Sequence, residues 1–333
     1  MNLIINSESP NIIYTDLLHF RDLLKKIAEN NNSEIISQSE YEQNKANLLS
    51  FVQRKYNKKL QNLILFGHLT MLLNLVKTDF KIIAIIDDLH HQGPLKKNRQ
   101  KVLPKIDKIL SSYGYCFNKY FNIGNYELFF FPHTSRYLCE FNNNPIENVL
   151  ISGRFTREIY PKRFLAHKYS KTYPDVQYLK VNFKYRLKNN NTNNLKYGQD
   201  FINTLNKYLV CFTCDASEDR PYILAKHFEI LASGSLLLSA NGNTKKYFER
   251  LGFIDNEHYI SCDENNMLEK IRYCLDKKNR EKINKIRLNG YNLFKQEHSF
   301  EKRLITFEKI LENNYENKKQ YEDGIAGTKY YYL

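Results

Sequence analysis

The segment RPYILAKHFEILASGSLLLSANGN, Arg220 to Asn243, concentrates the residue types that can do chemistry. At helical spacing Leu224, Phe228 and Leu231 form one stripe that would face a core. Tyr222, Lys226, Glu229 and Ser233 fall on another face. Gly234 then lets the chain turn into the apolar run LLL, read as a buried strand. A carboxylate late in such a helix lies beside the sheet's ligand crevice. It can accept two hydrogen bonds from a vicinal diol such as a ribose offers. Arg220 and Lys226 nearby can meet phosphates. The same spacing also suits a plain Lys226–Glu229 pair on a solvated helix face, and spacing alone does not choose between the two.

Further polar residues follow short apolar runs. NLILF is followed by Gly67-His68, FKIIAII by Asp87-Asp88-Leu89-His90-His91, and YELFFF by Pro132-His133-Thr134. Each has an ordinary structural explanation. Aspartate at a strand end is commonly a turn or cap residue, and a lone histidine is commonly surface. DDLHH has no evident distant partners with which to complete a metal site.

These runs alternate with helical patterns: 17–30, SEYEQNKANLLSFVQRKY, LTMLLNLVKT and part of KVLPKIDKILSSYGY. Such alternation predicts an α/β domain with a parallel sheet. A second α/β unit is expected from Asn148. It runs through NVLISGRFT, an asparagine-rich loop KNNNTNN, the helix QDFINTLNKY, the strand LVCFTC, a helix over 220–233 and the strand GSLLLSA. Two long helices close it, the second broken near Gly290 or His298. The tail EDGIAGTKYYYL is unassigned, and there is no internal repeat.

The chain has 333 residues, enough for two ordinary domains, and 42% of them are hydrophobic, which suits a folded protein. Fifty basic and 36 acidic residues leave a formal charge of +14. That balance favours anionic or phosphorylated partners. The lysines are scattered, and no dense run marks a nucleic-acid patch. Six irregularly spaced cysteines point to reduced thiols. The C-x-x-C of Cys211 and Cys214 lies in a β-prone run rather than at a helix start, so it reads as structural. No apolar run approaches the ~20 residues of a membrane-spanning helix, and the amino terminus lacks a secretory pattern. The expectation is a cytoplasmic protein without a membrane span.

The order of these motifs resembles glycosyltransferases of the GT-B fold, group 1 type. AKHFEILASGSLLLS is similar to their donor-side motif, and closest to the spore-maturation-protein-type branch with its K-x-F-E-x-x-A-x-G-x-x-L pattern. VLISGRFTREIYPKR resembles the first donor-domain strand and loop. EKIRYCLDKKNREKINKIRLNGYNLFKQEHSFEKRL resembles the closing helices, and IIDDLHH and FFFPHTS resemble acceptor-side segments. The likeness covers 148–312 well and 60–135 loosely.

It implies an α/β, GT-B architecture of two Rossmann-like domains facing a cleft. Residues 1–147 would form the acceptor side, 148–315 would bind a nucleotide-sugar, and 316–333 would be a tail. By this resemblance Glu229 holds the donor's ribose. Gly153 and Arg154 lie at the diphosphate with Arg163, and Arg220 and Lys226 are further phosphate contacts. The turn Asn241-Gly242-Asn243 closes on the donor. The nucleotide-sugar is a co-substrate, with no tightly bound cofactor and no metal. The acceptor is a glycan, protein or small molecule. An inverting transfer needs a general base, and Asp88 and His90 lead a set that includes Asp87, His91, His68 and His133.

One position departs from the family pattern. Many group 1 enzymes carry a second acid eight residues before the ribose glutamate; here that residue is Pro221, with Glu218 and Asp219 out of register. A catalytically silent GT-B-like structural or sugar-binding protein is therefore the rival reading. Nucleic-acid binding and epimerase activity on a nucleotide-sugar are the others.

Overall fold

The computed structural model describes residues 1–333 except 7–17, 31–32, 68, 88, 90–93, 122–123, 154–155, 180–197, 219, 316–328 and 333. The chain divides into two compact units. The first takes in the amino-terminal strand, Phe20–Pro132 and the chain from Leu304 onward. The second takes in His19 and His133–Arg303.

The first unit is built on a seven-stranded parallel sheet. Its strands are β1 (Asn2–Asn6), β2 (Ser33–Ser37), β3 (Asn62–Phe66), β4 (Lys81–Ile86), β5 (Lys108–Ser111), β6 (Glu127–Phe130) and β12 (Lys329–Tyr332), in the order β12-β6-β5-β4-β3-β1-β2. Its helices are α1 (Leu18–Asn30), α2 (Gln38–Asn44), α3 (Leu48–Tyr56), α4 (Pro94–Val102) and α11 (Phe300–Glu312), the last entering from the second unit. The central strands β3 and β4 are apolar after their first residue: Leu63, Ile64, Ile82, Ile83, Ala84 and Ile85 are all buried. That is what a parallel sheet covered on both faces requires.

The second unit holds a five-stranded parallel sheet. Its strands are β7 (Ile146–Ser152), β8 (Val176–Leu179), β9 (Tyr208–Cys214), β10 (Leu236–Ala240) and β11 (Ile260–Ser261), in the order β11-β10-β9-β7-β8. Helices α5 (Pro161–Tyr169), α6 (Gly198–Asn206), α7 (Ala225–Ser233), α8 (Lys245–Arg250), α9 (Met267–Leu275) and α10 (Arg280–Leu293) surround it. Strand order reverses between β7 and β9. In open α/β sheets the crevice beyond such a reversal takes the ligand.

Several expectations change. The strands β1 and β2 replace an unassigned start, because their short apolar runs carry no helical or alternating signal of their own. LTMLLNLVKT is only a single helical turn, Leu69–Leu72, with Asn74 in the left-handed region at φ 61. Its leucines point into the core from irregular backbone. The helix over 220–233 begins at Ala225, and Pro221 lies in the irregular lead-in. Glu229 is thus mid-helix. Of the two places expected for a break in the last long helix, the structure takes His298: the helix ends in a π-turn, Phe294–His298. Gly290 lies inside α10, where a Cβ would stand 2.2 Å from the carbonyl oxygen of His258.

The sequence reading put domain boundaries after 147 and 315; contacts set the crossings after Pro132 and Arg303. Residues 139–142 are hydrogen-bonded into the second unit. Tyr291 Oη donates to Cys139 O, Asn206 Nδ2 to Glu140 O and Arg287 Nη2 to Asn142 O, at 2.8, 3.0 and 3.0 Å. At the other crossing, the buried Lys108 donates to Ile310 O at 2.5 Å and Asn313 Oδ1 at 2.8 Å. It thereby caps the carboxyl end of α11 against β5. No helix among the described residues is long and apolar enough to cross a membrane.

Candidate functional site

The site is built at the carboxyl ends of β7 and β9. Strand β7 ends at Ser152, and Gly153 turns the chain with φ +97, a conformation that side chains resist. A Cβ there would stand 3.1 Å from Arg163 Nη1 and 3.2 Å from Lys226 Cε. The missing side chain therefore lets a guanidinium from α5 and a lysine stem from α7 approach the same backbone. Tyr178 Oη donates to Gly153 O at 3.1 Å and ties the turn to β8.

Arg163 is buried; Nη2 donates to Thr213 Oγ1 at 3.1 Å and the guanidinium lies 4.4 Å from the Tyr160 ring centroid. Lys226 sits in the first turn of α7, with its ammonium 4.2 Å from the Phe201 ring centroid and 3.5 Å from Glu229 Oε2. The Lys226–Glu229 pair is therefore real, and it is not on a solvated face: the side chains are 18% and 24% exposed. Helix α7 is buried on most sides, including His227, Phe228, Ile230 and Leu231. His227 donates from Nδ1 to Leu224 O and accepts at Nε2 from Ser239 Oγ, at 3.1 and 3.0 Å. Burial holds its imidazole down at about 3, so it is neutral.

Two residues that sequence reasoning passed over complete the arrangement. Asp215 follows β9 and is fully buried; its Oδ1 accepts from Lys162 Nζ at 2.8 Å and its Oδ2 from Asn243 N at 3.0 Å. The sequence carries a signal for both: an acid just after a strand, and a lysine beside Arg163. The Ser152 hydroxyl is buried and makes no hydrogen bond among the described residues.

Of the residues singled out in the sequence, Gly153, Arg163, Lys226 and Glu229 come together. Asn243 is tied to α5 through Asp215 and Lys162, with Gly242 exposed in the same turn. Asn241 is buried instead, donating to Tyr259 Oη and accepting from Ser261 Oγ. Arg220 lies in the segment before α7, its backbone N bonded to Ser217 O. Arg154, Asp88 and His90 lie outside the described residues, as do His68, His91 and Asp219.

In the first unit Asp87 accepts from Ser112 Oγ at 2.6 Å, which ties the end of β4 to that of β5. His133 is buried rather than on the surface, its Nδ1 3.3 Å from His19 Nε2. A groove of about 820 Å³ opens at the amino-terminal ends of β1, β3 and β4, the wrong end of these strands for the chemistry described above. Within it Lys77 pairs with Asp107 at 2.7 Å. All six cysteines are free and buried. Among the described residues no group of three His, Cys, Asp or Glu is placed to hold a metal.

Residues 153–309 match the protein family described as glycosyl transferase-like. A sequence comparison with curated proteins finds no match. Among solved structures, the chain is similar to a glycosyltransferase from Rickettsia africae (13% identity, TM-score 0.60, covering 95% of this chain and 99% of that one). It is similar to sucrose-phosphate synthase from Thermosynechococcus elongatus (10%, 0.62, 94% and 98%). It is also similar to HepE from Anabaena, solved with UDP and glucose (10%, 0.60, 94% and 99%). The fold is the two-unit, Rossmann-like GT-B fold of glycosyltransferases.

Proposed function

We propose that this protein transfers a sugar from a nucleotide-sugar to an acceptor in glycan biosynthesis, and that the donor binds at the carboxyl ends of β7 and β9. One observation carries the reading. Arg163 and Lys226, brought from two helices, meet over a side-chain-free turn at the point of strand reversal, and Glu229 lies beside the Lys226 ammonium. The cations suit a diphosphate, and the carboxylate suits the ribose diol.

The leaving group in such a transfer is a nucleoside diphosphate, whose negative charge grows as the glycosidic bond to it breaks. Positive groups already in place stabilise that charge without reorganising. Arg163, held by Thr213 and Tyr160, has little freedom left to lose. Glu229 fixes the nucleoside and so positions the sugar carbon. Arg154, Arg220, Gly242 and Asn243 belong to the same proposal as further donor contacts. Asp88 and His90, which follow β4, are the proposed acceptor-side base. The nucleotide-sugar acts as a co-substrate with no tightly bound cofactor. The spore-maturation-type likeness rests on the pattern Lys226, Phe228-Glu229, Ala232 and Gly234.

Pro221, in place of a second acid, favours one other reading: a GT-B-like protein that binds a nucleotide or sugar without transferring it. The test is a thermal-shift panel of UDP, GDP, ADP and TDP and their sugar conjugates on wild type and Glu229→Ala. Saturation at a hundredfold over Kd adds about 2.7 kcal/mol of stability. Stabilisation by one nucleotide that is lost in Glu229→Ala supports the site. Binding without turnover of the conjugate supports the silent reading. No shift with any nucleotide removes the donor site.

A further inference from the structure

A buried carboxylate beside a diphosphate site needs an explanation, because it repels the ligand the site is meant to hold. Asp215 is such a group. It is fully buried at the end of β9, next to β7. Both of its oxygens are engaged, by partners from two separate segments: Lys162 from the first turn of α5, and the backbone N–H of Asn243 from the turn after β10. Burial pushes its carboxyl above the ordinary range, while the Lys162 ammonium and the Asn243 N–H oppose the shift. Lys162 is itself mostly buried, with 12% of its side chain exposed. An ammonium carries three donors and the carboxylate takes one.

We propose that Asp215 is a positioning residue: it aims the Lys162 ammonium at the outer phosphate of the donor and locks the Asn241–Asn243 turn to α5, so that both are presented together. The inference rests on the donor-site reading above. Helix α5 is the element that follows the carboxyl end of β7, and its first turn, opened by Pro161, carries both Lys162 and Arg163. Without Asp215 the long lysine side chain samples many rotamers, and the turn after β10 loses its tie across the crevice. The carboxylate thus costs some repulsion and gains a fixed geometry.

Neutralising Asp215 separates this from a charge-balancing role. If the carboxylate only offsets charge, Asp215→Asn relieves repulsion and tightens a diphosphate. If it positions Lys162, Asp215→Asn loosens the diphosphate. The experiment titrates UDP and UMP (or the corresponding pair for another base selected by the panel) against wild type, Asp215→Asn, Lys162→Met, the double variant and Glu229→Ala. Asp215→Asn and Lys162→Met are each expected to weaken UDP by about tenfold, the size of one charge-assisted hydrogen bond. UMP should stay within about twofold, and the double variant should be no weaker for UDP than Lys162→Met. A merely structural defect would weaken both nucleotides together and overturn the inference. So would UDP binding to Asp215→Asn that is unchanged or tighter, with Glu229→Ala still defective; the donor site would then stand alone. A wild type that binds no nucleotide overturns the donor reading and this inference with it.

Discussion

Arg163 Nη1 lies 3.1 Å from the point where a Cβ on Gly153 would stand. The two residues are neighbours only because β7 ends in a left-handed turn and α5 folds back over it. Gly153→Ala must therefore strain the backbone and displace the guanidinium. The backbone strain alone costs about 1–2 kcal/mol. We expect a fall in stability of that size in urea melts, with UDP affinity reduced at least fivefold, because Arg163 and Lys226 are both pushed. Equal affinity in the variant and wild type would show that neither contacts the ligand.

Two other glycines should behave in opposite ways. A Cβ on Gly290 would meet His258 O at 2.2 Å and Leu231 Cδ2 at 2.9 Å, whereas one on Gly242 meets nothing within 4 Å. Gly290→Ala is expected to cost about 1–3 kcal/mol through overpacking. Gly242→Ala should fall within about 0.5 kcal/mol of wild type. Thermal denaturation of the two side by side checks both.

Arg287 is a buried guanidinium that serves as a cap. Nε and Nη2 donate to Gly234 O at 3.2 and 2.9 Å, and Nη2 also donates to Asn142 O. Burial lowers its guanidinium to about 10. Arg287→Met keeps much of the volume and strands those carbonyls. The expected cost is about 3 kcal/mol. Hydrogen exchange should rise over 139–146 before it rises in β9, since that segment loses its anchor directly.

Acid should destabilise the second unit through its histidines. His227 and His298 are each held at about 3 by burial, below the ordinary 6.5. Between those values the unfolded chain binds protons that the folded chain does not. Stability is therefore full above about 6.5 and falls as pH drops towards 3, by up to about 1.4 kcal/mol per pH unit for each histidine. His298 accepts from Arg303 at Nδ1 and donates to Leu251 O from Nε2, at 3.1 and 2.8 Å. His298→Gln should be less stable at pH 7.5 yet show a shallower loss between pH 6.5 and 5. Parallel curves for the two proteins would contradict this.

Strand β12 closes the β6 edge, with Lys329 in register with Glu127, and Tyr315 Oη donates to that same Glu127 at 2.7 Å. Truncation after Tyr315 should leave the first unit folded, with α11 still capped by Lys108, but expose the β6 edge. Light scattering should show concentration-dependent association that the full chain lacks.

Strands β3, β4, β6, β7, β9 and β10 were legible because each is a short apolar run bounded by turn residues, and a parallel sheet buries such runs on both faces. Strands β1 and β2 were not, since a five-residue run such as Asn2–Asn6 carries no period of its own. LTMLLNLVKT was misread because its leucines meet helical spacing by composition, while the core takes them from irregular backbone. Lys226 and Glu229 were legible as a pair at helical spacing, while Gly153 entered only through the family resemblance. Asp215 was not, because a single acid after a strand is common and its importance lies in what reaches it.

The sequence by itself determined the alternation of strands and helices, the left-handed turn that only glycine makes easily at 153, and the Lys226–Glu229 spacing on one helix face. These are local properties, set by backbone sterics and by side-chain period. Only the tertiary structure decided that Arg163 and Lys226 meet over Gly153, that Asp215 joins Lys162 to Asn243, and that the chain crosses between units after Pro132 and Arg303. Those outcomes depend on strand order and on residues 10 to 73 positions apart being brought within hydrogen-bond or van der Waals reach, with Gly153–Arg163 the shortest such span and Gly153–Lys226 the longest. No local preference encodes that; the packing of helices on a sheet whose order reverses between β7 and β9 does.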